Sequence, residues 1–129
     1  MKRSLAIALY FLVAALAGCN DAIEPPPIPV QHWKEMDVRI ETHPNPPLAG
    51  MSEVVVIVTG PRGRPVHDLI VSLRSDDAAA WVQTIQDGHI GVYRRGVSIG
   101  FSERAVLQVQ IQQGRSTQVL YFPLKLSAG

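Results

Sequence analysis

The side chains able to do chemistry in this sequence are few and scattered. Cys19 is the only thiol, histidines stand at 32, 43, 67 and 89, and methionines at 36 and 51. Soft methionine with imidazole suits copper, and imidazole with carboxylate suits other divalent ions. No two of them form a close ligand pair of the His-x-His kind. His43 and Met51 flank a proline loop, and their convergence, with His67 as a third candidate, would make a metal site. The simpler reading makes His43 a loop residue, Met51 a core filler and His89 a solvated turn residue. His67-Asp68 has the composition of a base with its orienting carboxylate. Adjacent residues on a strand face opposite ways, however, which predicts that these two do not touch. Ser52-Glu53 lacks the sharp turn that exposes a nucleophile. The glycines are scattered at turns, with no loop to cradle a phosphate. The residues therefore point away from an enzyme. One thiol excludes an internal disulfide framework and a Cys-rich zinc site. Twelve basic against eleven acidic residues give a net charge of +1, which argues against nucleic-acid binding.

The cysteine gains meaning from what precedes it. Lys2 and Arg3 form a short positive start, and 14 of residues 1–18 are apolar. The apolar run of residues 4–17 is too short to span ~30 Å of hydrocarbon comfortably. It ends in Leu16-Ala17-Gly18-Cys19. This run resembles the lipobox of bacterial lipoproteins. The resemblance implies cleavage between Gly18 and Cys19, a diacylglyceryl lipid on the Cys19 thiol, and a further acyl chain such as palmitate on the new amine. Each buried CH₂ contributes ~0.8 kcal/mol, and two or more chains anchor stably. The expected location is the cell envelope, lipid-anchored to a membrane with the domain in the periplasm. Asn20 and Asp21 bear on retention at the inner membrane in such lipoproteins. The rule varies between bacteria, so the choice between inner and outer membrane stays open.

What positions everything else is a set of short strands behind a tether. Pro25, Pro26, Pro27 and Pro29 favour extended polyproline II and forbid helix. Residues 19–34 thus read as the lipidated cysteine and a Pro-rich linker, and residues 35–129 as the folded domain. Met36, Val38 and Ile40 alternate with charged residues, the mark of a half-buried strand. Further strands are expected at 53–59, 66–74, 81–86, 90–99, 104–112 and 117–126. Leu69, Val71 and Leu73 should face inward, as should Ala105, Leu107, Val109 and Ile111, and Leu120, Phe122, Leu124 and Leu126. The run Val54 to Val58 lacks alternation, which predicts cover on both faces. Pro123 marks an edge position or a bulge. About seven strands with turns every 8–12 residues predict an all-β antiparallel, immunoglobulin-like sandwich. Its outer face at Val106, Gln108, Gln110 and Gln112 carries no charge, and Val119 and Tyr121 adjoin it on the next strand. Water-facing sheet surfaces usually carry Lys or Glu. This face is therefore the candidate for docking an envelope protein partner.

One family shares several of these pieces in this order. Asn45-Pro46-Pro47-Leu48-Ala49-Gly50 precedes a Val-rich strand, Gly60-Pro61-Arg62-Gly63-Arg64-Pro65-Val66 follows it, and Asp87-Gly88 leads into Val92-Tyr93-Arg94. Over residues 38–126 the chain resembles the YtkA-like/FixH-like domains, immunoglobulin-like sandwiches on bacterial membrane proteins and lipoproteins. The resemblance implies the fold and the envelope location. Some relatives are linked to oxidase assembly or copper handling. Members often carry a Met-bearing stretch after the third strand, where this chain has Arg74-Ser75-Asp76-Asp77-Ala78-Ala79-Ala80-Trp81, without Met or His. Members often have Gly-x-Trp opening the sixth strand, where Arg104-Ala105-Val106 stands here. The expected role is a non-catalytic interaction or assembly module, with a periplasmic copper-handling module as the alternative.

Overall fold

The computed structural model describes residues 28–100 and 104–127. The leader, Gly18, Cys19 and the prolines at 25–27 lie outside these residues. Among the described residues there are nine strands. They are β1 (Gln31–Trp33), β2 (Met36–His43), β3 (Gly50–Thr59), β4 (Ile70–Arg74), β5 (Val82–Gln83), β6 (Ile85–Gln86), β7 (Val92–Ile99), β8 (Arg104–Gln113) and β9 (Ser116–Lys125). One sheet has the order β1-β2-β3-β7-β6 and the other β5-β4-β8-β9, with every pairing antiparallel. In immunoglobulin lettering, with β2 as A, these are sheets A-B-E-D and C′-C-F-G, the Greek-key sandwich that the alternation predicts.

The core follows from period two. Val38, Ile40, Val54, Val56, Val58, Tyr93, Val97 and Ile99 line the inner face of the five-stranded sheet. Val71, Leu73, Leu107, Val109, Ile111, Leu120, Phe122 and Leu124 meet them from the other sheet. On the outer side of β3, Val55 is also buried and Ile57 half-buried, so the unalternating valine run is covered on both faces. Pro123 lies in β9, the edge strand of its sheet, where no ladder needs its missing N–H.

Three local expectations are corrected. The folded body starts inside the segment read as linker: β1 pairs with β2, and Ile28 and Trp33 pack against the core. The expected strand at 66–74 begins only at Ile70. Before it, residues 66–69 form a loop in which Asp68 has φ 65°. The Tyr93 hydroxyl holds this loop, donating to the Val66 carbonyl at 3.0 Å and accepting from the Leu69 N–H at 3.2 Å. The expected strand at 81–86 is two strands in different sheets, β5 against β4 and β6 against β7. The buried Thr84 makes the crossing, its N–H and its hydroxyl both donating to the Val71 carbonyl at 2.8 Å.

Candidate functional site

The two sheets present unlike outer faces. On the five-stranded sheet, cross-strand neighbours are charged and paired. Arg94 stands between Glu53 (Nη1 to Oε1, 3.2 Å) and Asp87 (Nε to Oδ2, 3.1 Å). The His32 Nδ1 lies 2.6 Å from an Asp37 carboxylate oxygen. Arg39 and Glu41 are exposed on the same side of β2. Surface ion pairs of this kind contribute little by themselves, and the same face also exposes Met51 and Ile85 at its edges.

The four-stranded sheet differs. Register sets Ile70 beside Gln112 and Thr117, Ser72 beside Gln110 and Val119, Arg74 beside Gln108 and Tyr121, and Val106 beside Pro123. Ile70 is 46% exposed, Val106 41% and Tyr121 55%. Val106, Pro123, Tyr121 and Val119 adjoin along β8 and β9 and form one apolar stretch. The one charged side chain in these four rows is Arg74, and it is engaged. Its guanidinium lies 4.2 Å from the centre of the Trp81 ring. Its Nε donates to Gln108 Oε1 at 2.8 Å.

Gln108 corrects one expected member of the face. It is 5% exposed, and its amide donates onward to Asp77 Oδ1 at 2.7 Å. Residues 75–80 fold back over the sheet and cover it. Asp76 holds that loop by accepting from the N–H groups of Ala78 and Ala79, at 2.7 and 2.9 Å. The surface that remains is Ile70, Val106, Gln110, Gln112, Val119 and Tyr121. The chain edge beside it is partly occupied, since the Gln31 amide donates to the Tyr121 carbonyl.

The three metal candidates do not gather at one point. His43 pairs with Glu53 near the start of β3, whereas Val66 bonds to Val58 near its end. Five residues of strand, ~17 Å, separate these points, so His43 and His67 cannot share an ion. Met51 is not a core filler but 73% exposed. Among the described residues no group of three or more His, Cys, Asp and Glu is placed to hold a metal. His67 and Asp68 do approach, Nδ1 to Oδ2 at 3.7 Å, because residues 66–69 are a loop and strand parity does not apply. His89, read as a solvated turn residue, stands against His67: the ring centres are 5.5 Å apart and the planes perpendicular. Sequence reasoning missed this pairing, because residues 67 and 89 meet only through the loop that Tyr93 holds. Ser52 is buried, its hydroxyl donating to the Leu48 carbonyl at 3.2 Å.

No family model matches the chain, and no curated protein or solved structure matches it.

Proposed function

We propose that the chain is a lipid-anchored protein of the bacterial envelope whose sandwich docks an envelope partner through the outer face of the β5-β4-β8-β9 sheet. It acts by binding rather than by catalysis. The leader and the Leu16-Ala17-Gly18-Cys19 run support the anchor. The observation that carries the docking reading is the contrast between the two outer faces. One is laced with ion pairs, and the other, over the four rows from Ile70 to Pro123, carries only the engaged Arg74, with Val106, Val119 and Tyr121 contiguous and charge returning in the next row, where Arg104 pairs in register with Lys125. Removing apolar area from water contributes roughly 25 cal/mol per Å², while uncharged glutamines shed their water at lower cost than lysines would. A copper-handling role built on His43, Met51 and His67 together is not carried forward, because His67 lies too far from His43 to share an ion with it.

The test is a photoreactive residue at position 119 of the full chain in its native membrane, with position 39 on the charged face as control. Position 119 should yield a discrete adduct and position 39 none. Gln110→Lys with Gln112→Lys, made around the probe at 119, should abolish that adduct with Tm unchanged. Equal yields from both positions, or an adduct that survives the double lysine variant, would overturn the reading.

A further inference from the structure

We infer that His67 and His89 form a two-imidazole site for a divalent ion of the nickel, copper and zinc group. The site is independent of the docking face and of His43 and Met51, and shares only His67 with the metal candidates read from the sequence. Three observations carry it.

The first is spacing. A metal–imidazole bond is ~2.0–2.1 Å, which places the ring centre about 3.2 Å from the ion. Two rings on one ion at a tetrahedral angle therefore have centres about 5.2 Å apart. The observed separation is 5.5 Å. The planes are perpendicular, so binding requires a ring to turn about Cβ–Cγ, which is a soft torsion. Both residues are exposed, and the His67 side chain retains 48% of its accessible surface. The rings have room to turn, and water can complete the coordination.

The second is bracing. The loop bearing His67 is held at both ends by one buried hydroxyl, that of Tyr93, through Val66 and Leu69. The loop bearing His89 is closed by the Asp87 N–H donating to the Val92 carbonyl at 2.7 Å. Its Gly91 carbonyl accepts from the Val58 N–H at 2.9 Å, and the Val58 carbonyl accepts from the Val66 N–H at 3.0 Å. Val58 thus ties the two loops together, and the distance between the imidazoles is set by the sheet rather than by chance encounter of two free loops. A site already assembled loses less entropy on binding.

The third is the carboxylate beside the His67 ring. Asp68 places a carboxylate oxygen 3.7 Å from His67 Nδ1, and its left-handed φ of 65° turns it back beside the ring. At 3.7 Å the two are not hydrogen-bonded, but a carboxylate that closes on Nδ1 as the ring turns would favour the tautomer with the proton there and leave Nε2 to take an ion. Imidazole nitrogen suits nickel, copper and zinc, and affinity within that group peaks at copper(II).

The experiment is calorimetric titration of the full chain, in detergent and without a histidine tag, with Cu²⁺, Ni²⁺ and Zn²⁺ salts separately. One equivalent should bind at micromolar concentration, tightest for Cu²⁺, with a rise in Tm as the ion saturates. His67→Gln and His89→Gln should each weaken binding at least tenfold, while His32→Gln and His43→Gln leave it unchanged. All four side chains are exposed, so the metal-free Tm of each variant should match the parent. Electron paramagnetic resonance of the Cu²⁺ form should show two equatorial imidazole nitrogens. Absence of saturable binding, or binding that persists in the His67→Gln/His89→Gln double variant, would overturn the proposal.

Discussion

Tyr93 concentrates several roles at one atom. Its side chain is fully buried, and its hydroxyl both donates and accepts, so the loop at 66–69 has no need of a strand partner. Tyr93→Phe keeps the ring and leaves the Leu69 N–H without its hydroxyl partner, which should cost about 1–3 kcal/mol in denaturant unfolding. Burial pushes the Tyr93 hydroxyl above the ordinary tyrosine range, the Leu69 N–H opposes the rise, and the Asp68 charge adds to it. A group whose pKa is raised by folding contributes stability that is complete below its unfolded pKa. That contribution is lost as pH climbs through the folded value. Stability should therefore fall above pH ~10. The Phe variant should lose that part of the alkaline slope, as read by urea midpoints across pH 8–11. Gln108 and Gln112 make a second comparison at this scale. Gln108→Ala removes the partner of Arg74 and of Asp77 and should cost about 1–3 kcal/mol. Gln112→Ala, on the exposed end of the same strand, should stay within about 0.5 kcal/mol. Equal effects would show that the loop at 75–80 does not cover Gln108 in solution.

At the scale of elements, the long strands were legible and the short ones were not. β8 and β9 alternate over ten residues each, so their inward sets could be named from the pattern. β1 has three residues and turns immediately at Lys34, with φ 57°, too short a run for a period to emerge. β5 and β6 read as one strand because a chain that changes sheets keeps its period of two. Val66 and Leu69 look like strand residues, and only the distant Tyr93 hydroxyl makes their segment a loop. The same long-range contact hid the His67–His89 pair, while His43 and Met51, close in sequence, drew attention. Gly91 shows how tightly these loops are joined. Its φ is 75°, and a Cβ there would lie 2.6 Å from the Val58 carbonyl oxygen and 3.1 Å from the Val66 N. Gly91→Ala would strain the backbone by about 1–3 kcal/mol and force the two loops apart as well. Thermal unfolding should show a large loss, exceeding that of Gly114→Ala. Gly114 also has positive φ, but a Cβ there meets nothing within 4 Å.

For the whole molecule, the fold changes the meaning of the tether. With Ile28 packed on the core and β1 beginning at Gln31, the spacer between the expected lipid and the body shrinks to residues 20–27. Eight residues reach at most ~29 Å when fully extended. Under the proposed anchor, a body held this close would carry its candidate docking face within a few nanometres of the bilayer and would meet a partner there. All of this depends on Cys19. If the lipobox resemblance holds, mass spectrometry of the purified chain should find an N-terminal peptide that begins at Cys19 and carries the mass of a diacylglyceryl group and an N-acyl chain. Cys19→Ser should abolish the lipid mass and leave the leader uncut. Among the described residues the core is built from residues 36–124, so the variant should keep the parent's Tm once its leader is removed by an engineered protease site. Loss of the position-119 adduct in Cys19→Ser, with the fold intact, would tie docking to the anchor. A purified chain that still begins at Met1 with a free thiol would remove the anchor and leave the face to be explained in solution.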